Sequence, residues 1–207
     1  MPIRVNGALH RLKDETADLH AAAERHVRIL DPEASEATYA RYLAKMFGFH
    51  APLEMAFAQH AGLEAAGYAA VQRRKRGWIV ADLHALGVDT APPACTDLPA
   101  LGDVTRASGV AYVLEGSMLG GKFILAKLGP SLAHVLGRAT RFLEGYRADT
   151  GSRWKQFGSL VERVLYDDSA IERAIAGARD TFARLIVWLD EPAADPPHPR
   201  RYAKANA

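Results

Sequence analysis

A single cysteine, Cys95, in 207 residues leaves no internal disulfide framework and no cysteine-rich metal site. It fits a reducing cytoplasm. Charge of one sign is also missing: 26 Lys and Arg stand against 24 Asp and Glu, a formal +2. No basic excess marks a nucleic-acid binder. No apolar run approaches the roughly 18 residues of a membrane span, and the opening Met-Pro-Ile-Arg-Val-Asn has no signal-peptide hydrophobic core. A strand-like alternation, an internal repeat and a Rossmann glycine fingerprint are all absent. The expectation is a soluble, cytoplasmic protein with neither a membrane nor a nucleic acid as partner.

What is present is helical period nearly throughout. Leu9, Leu12, Thr16, Leu19, Ala23, Val27 and Leu30 recur at three- and four-residue spacing, predicting one long helix that Asp31-Pro32 stops. Further helices are expected at about 36–60 (kinked at Pro52), 69–86, 104–128, 131–138, 153–165 and 168–190. A proline-rich loop is expected at 87–103. The fold class is all-α, a single domain of seven or eight helices over residues 1–191. Residues 192–207, with Arg200, Arg201 and Lys204, are expected to form a disordered tail.

Two segments carry chemistry. The first is Tyr112-Val-Leu-Glu-Gly-Ser-Met-Leu-Gly-Gly-Lys122, with glycine at 116, 120 and 121. Each glycine inside a helix costs roughly 1 kcal/mol against alanine, so three in six positions need a reason. Gly116 and Gly120 lie one turn apart on a face without side chains. Either a second helix packs backbone-close there or a flat ligand lies on it.

The second segment is Leu12-Lys-Asp-Glu-Thr-Ala-Asp-Leu-His-Ala-Ala-Ala-Glu24. Lys13 and His20 are seven residues, about 10 Å, apart along one face. That suits a planar ligand held at its centre by imidazole and at its edge by an ammonium group. Glu24, one turn after His20, is placed to orient the imidazole through its other nitrogen.

Together the segments resemble the heme oxygenase family, particularly its bacterial branch found alongside bacteriophytochromes, over about residues 10–190. The resemblance rests on Thr16-Ala-Asp-Leu-His20 followed by Ala23-Glu24, and on the spacing of Gly116, Gly120 and Gly121. It implies His20 as the proximal ligand of heme iron, with Thr16 and Glu24 in its motif and Gly116, Gly120 and Gly121 on the distal helix. Lys13 and Lys155 then correspond to partners of the heme propionates. Heme would be both substrate and cofactor, opened with O2 at a meso carbon to biliverdin (IXα favoured), carbon monoxide and ferrous iron. Electrons would come from an external donor, a ferredoxin or reductase, and a bacteriophytochrome would be one receiver of the biliverdin.

The chain departs from the family pattern at two positions. Ser117 stands where many members carry a distal aspartate, so proton delivery would run through a changed relay. Ser159 occupies a usual basic position, leaving the propionate clamp weaker or supplied by Arg153.

The alternatives are a non-catalytic heme-binding or heme-delivery protein, a di-iron oxidase using Glu54 and Glu115, and a thiamin-degrading enzyme using Cys95. His26 is the rival axial ligand, but six residues turn it about 120° away from His20. The remaining histidines, including His50 and His198, are expected at the surface or its boundary. The run Arg73-Arg74-Lys75-Arg76 reads as a solvated face or a dock for an acidic electron donor. Phe182 and Trp188 read as pocket lining or core.

Overall fold

The computed structural model of the chain describes residues 7–89 and 92–192; the C-terminal tail, with His198, Arg200, Arg201 and Lys204, lies outside them. The described residues are all-α, with nine α-helices joined by loops and four short 3-10 turns. The helices are α1 (Ala8–Glu15), α2 (Ala17–Arg25), α3 (Glu36–Ala58), α4 (Ala61–Ala65), α5 (Arg76–Ala85), α6 (Val104–Lys127), α7 (Arg141–Glu144), α8 (Thr150–Val164) and α9 (Asp168–Asp190).

The long helices start where side chains satisfy the free amides of a first turn. Asp103 accepts from the Arg106 amide at the head of α6, and Asp167 from the Ala170 amide at the head of α9. Ser35 and Thr38 form a reciprocal capping pair on α3. That helix runs on through Pro52 without a break in its assignment.

The single first helix expected from the period is instead two. Thr16 leaves helical geometry at φ −119°, and its hydroxyl donates to the Leu12 carbonyl at 2.7 Å. Such back-bonding by threonine competes with the backbone ladder and bends helices. Beyond Arg25 the chain tightens into a 3-10 turn over Arg28–Leu30. Likewise, 69–86 divides into a 3-10 turn at Ala70–Arg73 and α5, and 131–138 is a 3-10 turn over Pro130–Val135.

α6 is the organising helix. Its first half packs on α9, its middle on α8 and its second half on α7, while α1 and α2 pack on α9 and α3 on α5. Small residues make the α6–α9 contact close. A Cβ on Gly109 would sit well under 3.0 Å from the Ala174 carbonyl oxygen, and one on Gly177 equally close to that of Arg106. A core of Leu12, Phe49, Leu53, Val110, Leu114, Phe157, Ala174 and Phe182 joins α1, α3, α6, α8 and α9. A second core, with Leu43, Ile79, Met118 and Phe142, joins α3, α5, α6 and α7. The site described next lies on the side of the first.

Candidate functional site

The three glycines of α6, alike in sequence, face different surroundings. Gly121 is buried against α7, and a Cβ there would collide with the Leu143 carbonyl oxygen. Gly120 faces open space, with nothing within 4 Å of a Cβ built on it. Gly116 meets only the far edge of the Trp154 ring, at 3.9 Å. Both readings of the glycine run therefore apply, to different residues. Gly121 lets α7 approach; Gly116 and Gly120 leave a strip of helix backbone bare and accessible.

Beside this strip stand Trp154 of α8 and Tyr112 of α6 itself, and His20 of α2 packs on α9. The Tyr112 ring lies one turn before Gly116 and packs on Trp154 with centroids 5.9 Å apart. The Tyr112 phenol lies beside Thr16, and burial raises its pKa, so it stays protonated. Thr16 is itself buried with its hydroxyl bonded to Leu12, so it shapes the α1–α2 corner without lining the opening. His20 lies one turn into α2. Its imidazole packs on Phe182 of α9 with centroids 5.7 Å apart, and the side chain is 61% exposed. The Glu24 carboxylate stands 3.7 Å from its Nε2, beyond hydrogen-bond range. This imidazole is free to bind something.

Lys13 and Lys155 are both exposed. A Cβ on Gly158 would touch Leu9 at 3.3 Å, which places the crossing of α1 and α8. Each lysine lies within about one turn, 5.4 Å, of that crossing along its own helix.

Ser117 is half-buried and its hydroxyl donates to the Leu114 carbonyl at 2.9 Å. In that state it accepts from water but has no proton to give. Leu119, between the glycines, and Phe123, beyond them, continue the same side of α6 as exposed apolar residues, with the Lys127 ammonium 4.2 Å over the Phe123 ring. Sequence reading missed both, although their spacing from Gly116 (i+3 and i+7) carried the signal.

Other sequence expectations change. The basic run is not a solvated face: Arg73 and Lys75 are buried, 6% and 1% exposed, and both bond the buried carboxylate of Glu115. The Tyr68 and Tyr146 hydroxyls donate to the same carboxylate at 3.2 Å. Burial alone would raise the Glu115 pKa, but Lys75 and Arg73 together hold it below the ordinary 4.5. Glu54 accepts the amides of Lys75 and Arg76 at the head of α5. Neither carboxylate is free for a di-iron centre, and no cluster of three or more metal-ligating side chains occurs among the described residues.

Cys95 is a poor nucleophile: its buried thiol donates to the Asp97 carbonyl, and burial pushes its pKa up. His50 is a core residue, 2% exposed, its ring edge-on to Phe142. Trp188 packs away from the bare strip, under Lys45, and donates to the Lys45 carbonyl at 2.7 Å. His26 is engaged by Asp190 at 2.7 Å, which ties the end of α2 to the end of α9.

The pairing of Glu115 has a pH signature. A carboxylate whose folded pKa is depressed adds stability that is present above its unfolded pKa, near 4.5, and is lost as pH falls through the folded value. Glu115→Gln is expected to be less stable at neutral pH and to show a flatter loss of stability below pH 4.5. Urea melts across that range check it, and parallel acid limbs in the two proteins would contradict it.

The family model for heme oxygenase matches residues 6–191. A heme oxygenase of Xanthomonas campestris pv. campestris (strain 8004) is 38% identical over 122 residues, 56% of this chain and 68% of that protein. Among solved structures, the NO- and CO-bound heme oxygenase of Neisseria meningitidis superposes with a TM-score of 0.75 at 24% identity. It covers 93% of this chain and 97% of that one. The heme oxygenase of Leptospira interrogans gives 0.72 at 16% identity, over 90% and 100% of the two chains. These two share the fold. With the family model matching nearly all of the described chain, the protein belongs to the heme oxygenase family of heme-degrading enzymes.

Proposed function

We propose that heme binds between α2, the bare strip of α6 and the start of α8, and is opened there to biliverdin, carbon monoxide and ferrous iron. The observation that carries this reading is the open backbone at Gly116 and Gly120, on a fold whose α2 offers the unpartnered imidazole of His20. The residues suit a flat, largely apolar ligand with an anionic edge. Phe182, Tyr112 and Trp154 supply apolar surface, and Lys13 and Lys155 supply charge at the rim.

When bound, heme supplies the iron that activates O2 and the porphyrin that is cut. His20 would hold the heme iron through a ring nitrogen, and Glu24, whose carboxylate lies 3.7 Å from His20 Nε2, would help to hold the ring. Gly116 and Gly120 let the backbone approach the ring and leave room only along one edge. Ser117 holds a water by accepting from it, and the proton comes through that water. Gly121 and Thr16 act one step back, by placing α6 and the α1–α2 corner. Electrons come from a separate ferredoxin or reductase, and a bacteriophytochrome is one consumer of the bilin.

Adding heme and then a reductant in air tests the reading. A Soret band that bleaches to a broad red absorption is expected. No Soret band would end the proposal. A stable band would favour the second reading, a heme carrier, for which the engaged hydroxyl of Ser117 is the supporting observation.

The two lysines set which meso edge faces the distal side, because a nearly symmetric ring is not oriented by its axial bond. Each exposed charged contact contributes about 0.5 kcal/mol, so the pair biases orientation roughly fivefold. With both present, biliverdin IXα is the expected main isomer. Lys13→Ala with Lys155→Ala should yield a mixture approaching equal isomers, and weaken heme binding by no more than about fivefold. Chromatography of the bilins reads this; a single unchanged isomer would remove the lysines from that role.

A further inference from the structure

We propose that Arg73 is a positioning residue that sets the separation of the two walls of the site, α6 at Gly116 and α8 at Trp154. The bare strip cannot hold itself in place. Gly116 and Gly120 have no side chains, so nothing on that side of α6 resists a roll or shift of the helix. α9 and α7 fix the rest of α6, and beside the strip the adjoining face, about 100° round the helix at Glu115, carries a bonded side chain.

One guanidinium reaches both walls. Arg73 Nη1 donates to the Glu115 carboxylate, and Nη2 donates to the Arg153 carbonyl at 3.3 Å. Glu115 immediately precedes Gly116, and Arg153 immediately precedes Trp154, whose ring edge is the only group near the bare face of Gly116. The planar fork of arginine holds its two acceptors at a fixed spacing, which a lysine cannot do. Tyr146, four residues before α8 begins, joins the same node. Its single hydroxyl proton goes to Glu115 at 3.2 Å, with the Arg73 carbonyl a longer alternative acceptor at 3.4 Å. The Arg153 guanidinium lies 5.5 Å over the Tyr146 ring.

Lys75 provides the control. It is the second cation on Glu115 and is buried as deeply; its ammonium lies 5.6 Å over the Tyr146 ring, but among the described residues it donates no hydrogen bond to α8. Loss of either cation disturbs the Glu115 charge; only loss of the arginine fork releases α8 from α6.

The test compares Arg73→Lys with Lys75→Met, first without heme. Amide hydrogen exchange followed by mass spectrometry is read over residues 147–156, the start of α8. Arg73→Lys should raise exchange there about tenfold, the equilibrium effect of one hydrogen bond to a charged group. Lys75→Met should lower the melting temperature yet leave exchange in that segment within about twofold of wild type. Equal acceleration in both variants, or none in Arg73→Lys, would overturn the proposal. Should Arg73→Lys not fold, Arg73→Gln carries the test. It removes the same fork without placing a second ammonium beside Lys75 and should accelerate the same segment, and an unchanged rate would again overturn the proposal.

The second arm rests on the heme-site reading above. In Arg73→Lys the histidine-ligated ferrous spectrum should persist while the bilin isomer ratio shifts at least twofold. Lys75→Met should keep the wild-type ratio, and the reverse pattern would count against the proposal. A wild-type protein that releases no bilin would defeat the functional reading alone, since the exchange arm needs no heme.

Discussion

His20→Ala is expected to take up heme without the histidine-ligated ferrous spectrum and to release bilin at least a hundredfold more slowly. Loss of an outer partner costs a metal site roughly 10- to 100-fold, and loss of the ligand itself should exceed that. The physical ground is availability. The His20 imidazole is 61% exposed, is steadied only by Phe182, and has no hydrogen-bond partner to displace. His26→Ala should leave spectrum and turnover intact. Its imidazole already bonds Asp190, and breaking that partly exposed pair should lower stability by under about 1 kcal/mol. Added imidazole should restore the ferrous spectrum of His20→Ala by entering the vacated position. Loss of heme ligation in the His26 variant alone would move the axial ligand and the whole site with it.

The second large effect separates the three glycines of α6. Gly120→Ala should stabilise the protein by up to about 1 kcal/mol, since the new methyl meets nothing and alanine favours the helix. Gly121→Ala should destabilise it by about 3 kcal/mol, because the methyl would overlap the Leu143 carbonyl and α7 would have to move. Adjacent residues thus change stability in opposite directions. Function divides the other way. Gly116→Leu and Gly120→Leu should fold and yet lose about 10- to 100-fold in heme affinity, the effect of a few methylenes forced into occupied space. Urea melts paired with heme titrations of the folded variants report both quantities. A Gly120→Leu protein that binds and opens heme normally would show that the bare strip is not where heme lies.

The long elements were legible because local chemistry and period agreed. α9 starts and ends where the sequence reading put it, with Asp167 as cap and an apolar stripe of more than six turns. α6 falls one residue short of its expected end, before the Gly129-Pro130 stop. α4 and α7, with five and four residues, are too short to show a helical period, and both were missed. The break at Thr16 leaves no trace in the apolar spacing, because one residue out of helical geometry keeps its neighbours on the same face.

The sequence by itself determined the all-α class, and it held the two segments from which the site is proposed, with residue types able to bind a flat anionic ligand. Those properties reside in short stretches: a histidine with a lysine two turns earlier, and glycines one turn apart. What each residue faces was decided only by the tertiary structure. Gly120 and Gly121 are the same residue in the same helix, and the approach of Leu143 from α7 makes one a packing contact while its absence leaves the other open. Arg73 and Lys75 read as solvated in a run of four basic residues, but Glu115, some forty positions later, draws both into the interior. A buried charge needs a partner, and a backbone face is open or closed according to what packs on it. Both depend on segments distant in the chain, which local sequence does not contain.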